Sequence, residues 1–278
     1  MKRLKWILAL TVLVAVSCAV QVTEITKPAR VKKVSNKDNI KQYHVVVSQR
    51  EGAEQVFLFM KVKRPVASVI LFAGGGGTLN IENGVINQMG GNFVVRSRFR
   101  FANEGFNVAV VDAPSDYRNL RGARDTLFHA VDIKGVIAYL REASDVPVWL
   151  IGTSRGTISA ANAASRLKEG GADGVVLIST VFFRGAGVSL FDVDLEGITV
   201  PTLFVHHKKD RCSVSPYTPG APHMKGLRNA PKVEQIVFEE GLPDKGSFCS
   251  GTGPHDFRGI RDEVVRAIGN WIKANNPR

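Results

Sequence analysis

The sequence has few cysteines, no internal repeat and no low-complexity segment. Only 3 cysteines occur among 278 residues, of which 44% are hydrophobic and 22% are charged. The absence of repeats excludes a solenoid or another array of small units. A chain of this length and composition can bury one large core, and an α/β domain often reaches this size as a single unit.

Two nucleotide-binding signatures are also missing. The glycines at 74–77 are not followed by Gly-Lys-Ser/Thr, and no G-x-G-x-x-G sequence opens a helix with an acid further along. The sequence therefore predicts no nucleotide site, no other cofactor and no metal centre.

Basic residues are abundant but scattered, and the net charge is +12. No cluster of Lys and Arg is interleaved with aromatic residues, as expected of a surface that binds nucleic acid. We therefore expect no nucleic-acid partner. The charges instead predict a solvated surface with some attraction to anionic envelopes or acidic substrates.

The N-terminus has the pattern of an export signal. Basic residues at positions 2, 3 and 5 precede an apolar run over residues 6–16. This run is shorter than the about 20 residues that span a bilayer, so residues 1–18 are predicted to be a signal peptide. Its end resembles a bacterial lipobox, in which Cys18 is lipidated and becomes the new N-terminus. Ordinary cleavage after Ala19 is the alternative, and both predict a protein of the bacterial envelope, either periplasmic or anchored to a membrane.

A polar, basic stretch at 19–42 lacks helical or strand periodicity and is predicted to be a flexible tether. The folded domain is expected at 43–278, where strand and helix patterns alternate. Predicted strands outside the central motif lie at 43–48, 55–62, 67–72, 107–111, 174–179, 199–206 and 233–238, and predicted helices at 92–104, 125–142 and 258–273. This order predicts an α/β fold with a mostly parallel central sheet and helices on both faces.

The central motif is a buried strand that ends in Gly152-Thr153-Ser154-Arg155-Gly156 and turns at once into a small-residue helix. This is the G-x-S-x-G nucleophile elbow in the strand-to-helix context that it needs. The sharp turn strains the serine backbone, and side chains at the two glycines would collide with neighbouring backbone. The N–H groups of the helix point at the serine oxygen, where negative charge develops. Ser154 is therefore the predicted nucleophile.

A candidate acid and a candidate base follow later strands. A serine hydroxyl needs a base to take its proton, and that base must itself be oriented. Asp210 directly follows a buried strand, at the edge where such sheets carry their sites, and is the predicted acid. His255, in the loop before the final helix, is the predicted base. Asp192 and Asp194 remain alternatives for the acid, and His223 remains an alternative for the base.

The remaining predictions concern the oxyanion and the cysteines. Two backbone N–H donors are expected, one from Arg155 and the other from Gly75 or Gly76 in the loop after the third strand. Because the lipobox accounts for Cys18, the other two cysteines form an even pair in an oxidising compartment. A disulfide between Cys212 and Cys249 would tie the acid loop to the base loop, and two free thiols are the alternative.

From 43 to 273 the sequence resembles the α/β-hydrolase superfamily. The resemblance is carried by the glycines at 74–77, the Ser154 elbow, Asp210 after its strand and His255 in its late loop. It implies a two-step acyl transfer: Ser154 attacks a carbonyl, His255 moves the proton, Asp210 holds the imidazolium, and water releases the acyl group. Because no histidine precedes the glycines, the fit to His-Gly-Gly-Gly lipases and esterases is partial.

The connection at 180–198 is too short for the helical cap that this superfamily often inserts there, so no large cap domain is expected. An open site suits an ester or amide at the end of a large molecule. For Arg155, beside the nucleophile, two roles stay open: to attract an anionic substrate or to pack over the edge of the sheet. We therefore expect an exported serine hydrolase, in particular a carboxylesterase with an ester or other acyl substrate, bound to the membrane through a lipid anchor. A peptidase or acyltransferase of the same fold and a non-catalytic binding lipoprotein are the alternatives.

Overall fold

The computed structural model describes residues 27–37, 40–185, 187–219 and 222–277. The predicted signal peptide and the lipidation site Cys18 lie outside these ranges. The strands in chain order are β1 (Arg30–Lys37), β2 (Ile40–Val47), β3 (Gln55–Lys61), β4 (Ala67–Phe72), β5 (Ile81–Glu82), β6 (Val85–Ile86), β7 (Phe106–Val111), β8 (Val148–Thr153), β9 (Gly174–Ile178), β10 (Thr202–His207) and β11 (Val233–Phe238). The α-helices are α1 (Phe93–Asn103), α2 (Leu127–Ala143), α3 (Gly156–Arg166) and α4 (Arg261–Asn275).

Nine of these strands form one sheet in the order β1-β2-β3-β7-β4-β8-β9-β10-β11. Six neighbouring strands are parallel, namely β7, β4, β8, β9, β10 and β11. The strands β1, β2 and β3 pair in antiparallel fashion, and β3 is also antiparallel to β7. β4 and β8 are buried along their whole length, because apolar side chains leave a central parallel strand on both faces. The predicted mostly parallel sheet is confirmed.

Helices cover both faces of the sheet, as predicted. Phe93 of α1 and Ile268 of α4 belong to one apolar core, and Ile133 of α2 and Ile158 of α3 belong to the other. α2 buries Ile133, Val136, Ile137 and Leu140 because these residues recur at helical spacing on one face. Packing in these two cores holds in place the edge of the sheet at which β4, β8, β9 and β10 end.

The sheet begins earlier than the sequence predicts. Residues 30–37 form the edge strand β1, which pairs with β2, and β2 itself begins at Ile40. The prediction of a tether over 19–42 is therefore wrong for residues 30–37 and 40–42. An edge strand buries little, and residues 30–33 are all exposed, so the apolar alternation that identifies a strand is missing. Basic side chains are common on such edges because they discourage pairing with another chain.

The connection between β9 and β10 carries no large cap. Its described residues hold one short 3-10 helix, Leu190–Asp192, and otherwise no regular helix. In the described part of the chain, none of the helices combines the length and apolar character needed to cross a bilayer.

Candidate active site

The turn after β8 has the geometry of a nucleophile elbow. Ser154 lies between β8 and α3 with a φ of 51°, a left-handed conformation that costs a non-glycine residue about 1 kcal/mol or more. A Cβ on Gly152 would collide with the carbonyl of Gly156, and a Cβ on Gly156 would collide with the carbonyl of Phe72. The Ser154 N–H donates to the carbonyl oxygen of Ile178, 2.8 Å away. The two glycines therefore allow a turn that the neighbouring strands then hold in place.

The predicted acid and base lie together. Nδ1 of His255 is 2.8 Å from Oδ2 of Asp210, and both side chains are buried. Oδ1 of Asp210 accepts the N–H of Cys212 at 2.9 Å, so each carboxylate oxygen has one close partner. A carboxylate at Nδ1 holds the ring proton there and leaves Nε2 free to accept another proton.

Burial lowers the pKa of His255, but the Asp210 carboxylate raises it through its hydrogen bond and its charge. Asp256 and Asp244 add negative charge nearby, and the net pKa lies above the ordinary histidine value of 6.5. A base with a raised pKa accepts a proton more readily from a weak acid such as a serine hydroxyl.

Four further contacts hold the loop that carries His255. Ser179 donates its hydroxyl to the His255 carbonyl at 2.7 Å, and the Ser215 hydroxyl lies 3.2 Å from Nδ1. Arg96 of α1 donates to the carbonyls of Gly251 and Asp256, each at 2.8 Å. These contacts fix the backbone on both sides of the histidine.

Ser154 and His255 line one cavity of about 300 Å³ at the carboxyl ends of the parallel strands. The glycine loop after β4 and the segment before α1 complete the walls, together with Asp256 and the disulfide loop. Their lining residues are Gly74, Gly75, Met89, Gly91, Asn92, Cys249, Ser250 and Gly251. Among the described hydrogen bonds, none joins the Ser154 hydroxyl to the His255 ring. Hydrogen bonds between a nucleophile and its base often become short only when a substrate is bound.

The predicted oxyanion donors divide into two groups. Gly75 lines the cavity with a φ of 51°, and its N–H takes part in none of the described hydrogen bonds. The N–H of Arg155, directly after the nucleophile, is likewise unused within the described chain. Gly76 does not line the cavity, and its carbonyl accepts the N–H of Leu120 at 2.8 Å. The geometry therefore favours Arg155 and Gly75 over Gly76.

The alternative acids and the alternative base have partners elsewhere. Asp192 forms an ion pair with Arg184 and accepts the Ser189 N–H at 2.8 Å, which caps a short helix. Asp194 accepts the Gly197 N–H at 3.2 Å. The His223 ring packs against Phe182 and Phe204, with centroids 4.1 and 4.6 Å apart, and burial lowers its pKa to about 4. Within the described residues, none of the three shares a hydrogen bond with His255.

The predicted disulfide is present. Cys212 and Cys249 are bonded, with their Cα atoms 4.6 Å apart and a separation of 37 positions in sequence. Cys212 follows Asp210 closely, and Cys249 lies in the loop that leads to His255. The bridge therefore ties the loop of the acid to the loop of the base.

Removing this bridge is expected to lower the free energy of unfolding by about 4 kcal/mol. The reason is that the unfolded chain has more conformational entropy without the bridge than with it. Urea unfolding of wild type and of the double variant Cys212→Ser/Cys249→Ser measures the loss. A reductant should shift the wild-type midpoint and leave the double variant unchanged. Equal midpoints for the two proteins without reductant would contradict the prediction.

Several residues of this site carry no recognisable signal in the sequence. Arg96, Ser179 and Ser215 contact the His255 loop from elements that lie 40 to 160 positions away along the chain. No motif in the sequence connects these three residues with the histidine. Among the described residues, no cluster of three or more His, Cys, Asp or Glu side chains is placed to hold a metal ion.

No family model and no curated protein sequence matches the chain. Solved structures match it at low identity. A cold-adapted esterase from an Arctic intertidal metagenomic library has a TM-score of 0.61 at 11% identity, over 87% of this chain and 97% of its own. The dienelactone hydrolase of Anabaena variabilis has a TM-score of 0.57 at 17% identity, over 86% and 99%. Acetyl xylan esterase 1 of a Thermoanaerobacterium species has a TM-score of 0.56 at 12% identity, over 88% of each chain. This chain has the α/β-hydrolase fold.

Proposed function

We propose that the protein is a serine hydrolase that cleaves a carboxylic ester through an acyl-enzyme on Ser154. The observation that carries the proposal is the shared cavity. A strained serine at the start of α3 and a histidine paired with Asp210 at 2.8 Å line the same opening. The esterases and the hydrolase of similar fold support an ester substrate.

In the proposed mechanism, Ser154 Oγ attacks the carbonyl carbon as its proton moves to Nε2 of His255. The carbonyl oxygen becomes an oxyanion that accepts the N–H groups of Arg155 and Gly75. Collapse of the intermediate expels the alcohol, which takes the proton from His255, and leaves an acyl group on Ser154. Water then attacks with His255 as the base and releases the carboxylic acid. Asp210 accepts the hydrogen bond from the Nδ1–H of His255 throughout and stabilises the imidazolium.

The size of the cavity favours a short acyl group. Its volume of about 300 Å³ is at the lower end of the range for ligand pockets, about 300–1,000 Å³. Because the described chain between β9 and β10 forms no helical cap, the alcohol part can extend outward and be large. The name of the acetyl xylan esterase describes such a combination, a small acyl group on a large alcohol.

The side chain of Arg155 lies beside the elbow and is not among the residues that line the cavity. Its guanidinium packs against the backbone of Gly185 and Gly187, and the residue is only 8% exposed. Burial and the neighbouring Arg121 lower the pKa of Arg155, and no carboxylate in the described chain pairs with it. These contacts favour packing, rather than contact with an anionic substrate, as the role of this side chain.

Nitrophenyl esters of increasing acyl length test the proposal, together with an activated phosphonate. We expect acetyl or propionyl esters to be cleaved fastest and the phosphonate to label Ser154. Product analysis with an added alcohol distinguishes hydrolysis from acyl transfer, and peptide substrates detect a peptidase. A protein that takes no label would instead be a binding module.

The raised pKa of His255 predicts the pH dependence of hydrolysis. The base must be neutral to accept the serine proton, so activity falls as the pH drops through the pKa of His255. Because that pKa lies above 6.5, the acid limb of kcat/KM is expected to have its midpoint above pH 6.5. A pH profile measured from pH 5 to 9 provides the test. A midpoint clearly below 6 would contradict the assignment of His255 as the base.

We further propose that residues 1–18 direct export and that Cys18 receives the lipid anchor. The Cys212–Cys249 disulfide supports an oxidising compartment. The mass of the mature N-terminus separates the two outcomes, because the lipidated form keeps Cys18 and Ala19 and carries the lipid, whereas cleavage after Ala19 removes both residues.

A further inference from the structure

Arg124, which lies shortly before α2, is one of the largest fully buried side chains of the protein, with 1% of its surface exposed. Its Nη2 lies 3.0, 3.2 and 3.3 Å from the carbonyl oxygens of Ala73, Gly74 and Gly75. A single nitrogen therefore contacts three successive carbonyls of the loop that follows β4. This is the loop that lines the cavity next to Ser154.

These contacts orient the loop. In a trans peptide the C=O of one residue and the N–H of the next point in opposite directions. Because the Gly74 carbonyl points at Arg124, the N–H of Gly75 points away from it. Gly74 and Gly75 line the cavity with Ser154, and a Cβ on Gly74 would lie 3.0 Å from the Cβ of Ser154. The N–H of Gly75 is thereby turned away from the guanidinium, in a loop that lines the same cavity as the nucleophile.

The glycine run is shaped to receive this arginine. A Cβ on Gly77 would lie 2.6 Å from Nη2 of Arg124, so a side chain there would displace the guanidinium. Gly77 also has a φ of 74°, and Gly75 has one of 51°. The glycines thus allow both the turn of the loop and the close approach of the arginine.

The charge of Arg124 has no described counter-ion. Nη1 donates to the hydroxyl of Ser159 at 2.8 Å, and that hydroxyl lies 2.9 Å from Nε2 of His129. Burial lowers the pKa of Arg124 to about 9, and the nearby charges of Arg155 and Arg121 act in the same direction. Burial lowers the pKa of His129 to about 3, so that ring is neutral. A buried cation without an anion is costly, and it becomes favourable when negative charge forms nearby.

We propose that Arg124 is a positioning residue for the oxyanion hole. It holds the glycine loop so that the Gly75 N–H faces Ser154, and its unpaired charge stabilises the negative oxygen of the tetrahedral intermediate. The inference rests on the proposed serine hydrolase mechanism. It adds a residue that touches neither the substrate nor the reacting serine.

Replacing Arg124 with glutamine is expected to reduce kcat about 100-fold, the lower end of the effect of losing one oxyanion donor, with KM changed by less than about 3-fold. Arg124→Lys keeps the charge but reaches fewer carbonyls, so it should recover part of the loss. The infrared carbonyl band of a slowly hydrolysed acyl-enzyme should shift to higher frequency in Arg124→Gln, because a weaker oxyanion hole polarises the carbonyl less.

A matched control is Arg50→Gln, because Arg50 is also buried but pairs with Asp132 at 3.0 Å and with Asp116 at 2.6 Å. It should lower the thermal midpoint and leave kcat and the carbonyl band unchanged. If Arg124→Gln does not fold, Arg124→Lys carries the test with the same readouts, and an unchanged kcat and band there would overturn the inference. An unchanged kcat in folded Arg124→Gln would also overturn it. If wild type neither reacts with the phosphonate nor cleaves an ester, the proposed function fails, and this inference fails with it.

Discussion

Replacing Ser154 with alanine is expected to lower the turnover of a nitrophenyl ester by three to six decades, about 4–8 kcal/mol of transition-state stabilisation. The hydroxyl is the atom that would form the acyl bond, and no other hydroxyl occupies the strained position at the start of α3. The residual rate would come from the oxyanion donors and from binding alone. Circular dichroism checks that the fold is retained, and steady-state kinetics measures the loss.

Two further variants separate loss of the nucleophile from loss of structure. Ser213→Ala changes an exposed serine of the loop that also carries Asp210 and should leave turnover within about 2-fold of wild type. Ser154→Gly should be as inactive as the alanine variant yet more stable by about 1 kcal/mol, because glycine adopts a φ of 51° without strain. Equal weak activity in wild type and Ser154→Ala would show that the elbow is structural.

The features that the sequence predicted well are local. The elbow needs only five adjacent residues in a strand-to-helix context, and its two glycines are explained by contacts with backbone that any such turn would bring close. β4 and β8 were recognisable because a strand buried on both faces is apolar throughout. Asp210 and His255 could be placed because the ends of parallel strands meet at one edge of the sheet.

The features that the sequence did not predict are of two kinds. Some depend on contacts between positions that are distant along the chain, and others bury too few side chains to leave an apolar pattern. β1 is an exposed edge strand, so its polar sequence resembles a linker as much as a strand. Arg124 lies about 50 positions after the carbonyls that it contacts, and no pattern in its own neighbourhood distinguishes it from a surface arginine. The choice between Gly75 and Gly76 depends on which peptide faces the cavity, and composition does not determine the orientation of a peptide.

The elbow, the acid–base pair and the glycine loop come from different parts of the chain, and separate contacts hold each of them. The Cys212–Cys249 bridge and Arg96 fix the His255 loop, whereas Arg124 fixes the glycine loop. Rigid support of this kind keeps reacting groups aligned without reorganisation during the reaction. Because separate contacts hold the three parts of the site, substitutions in each part are expected to impair activity in different ways.

Replacing Asp210 with asparagine is expected to lower kcat about 10,000-fold while the fold is retained. The carboxylate accepts two N–H groups, one from His255 at 2.8 Å and one from Cys212 at 2.9 Å. Asparagine has only one acceptor oxygen. If that oxygen keeps the Cys212 N–H, the amide NH2 faces Nδ1 of His255 and forces the ring proton onto Nε2. A histidine with its proton on Nε2 cannot accept the proton of Ser154.

The pH profile of the variant shows whether Asp210 acts through His255. Loss of the carboxylate removes the largest influence that raises the pKa of His255, so the acid limb of the remaining activity should move to lower pH. Asp192→Asn is the matched control, since it changes the alternative acid, whose partners are Arg184 and Ser189, and should keep both kcat and the acid limb of wild type. Were Asp192→Asn the inactive variant and Asp210→Asn the active one, the acid would have to be reassigned to the loop after β9. Loss of activity in Asp210→Asn, with Asp192→Asn still active, would show that Asp210 orients His255 as the base.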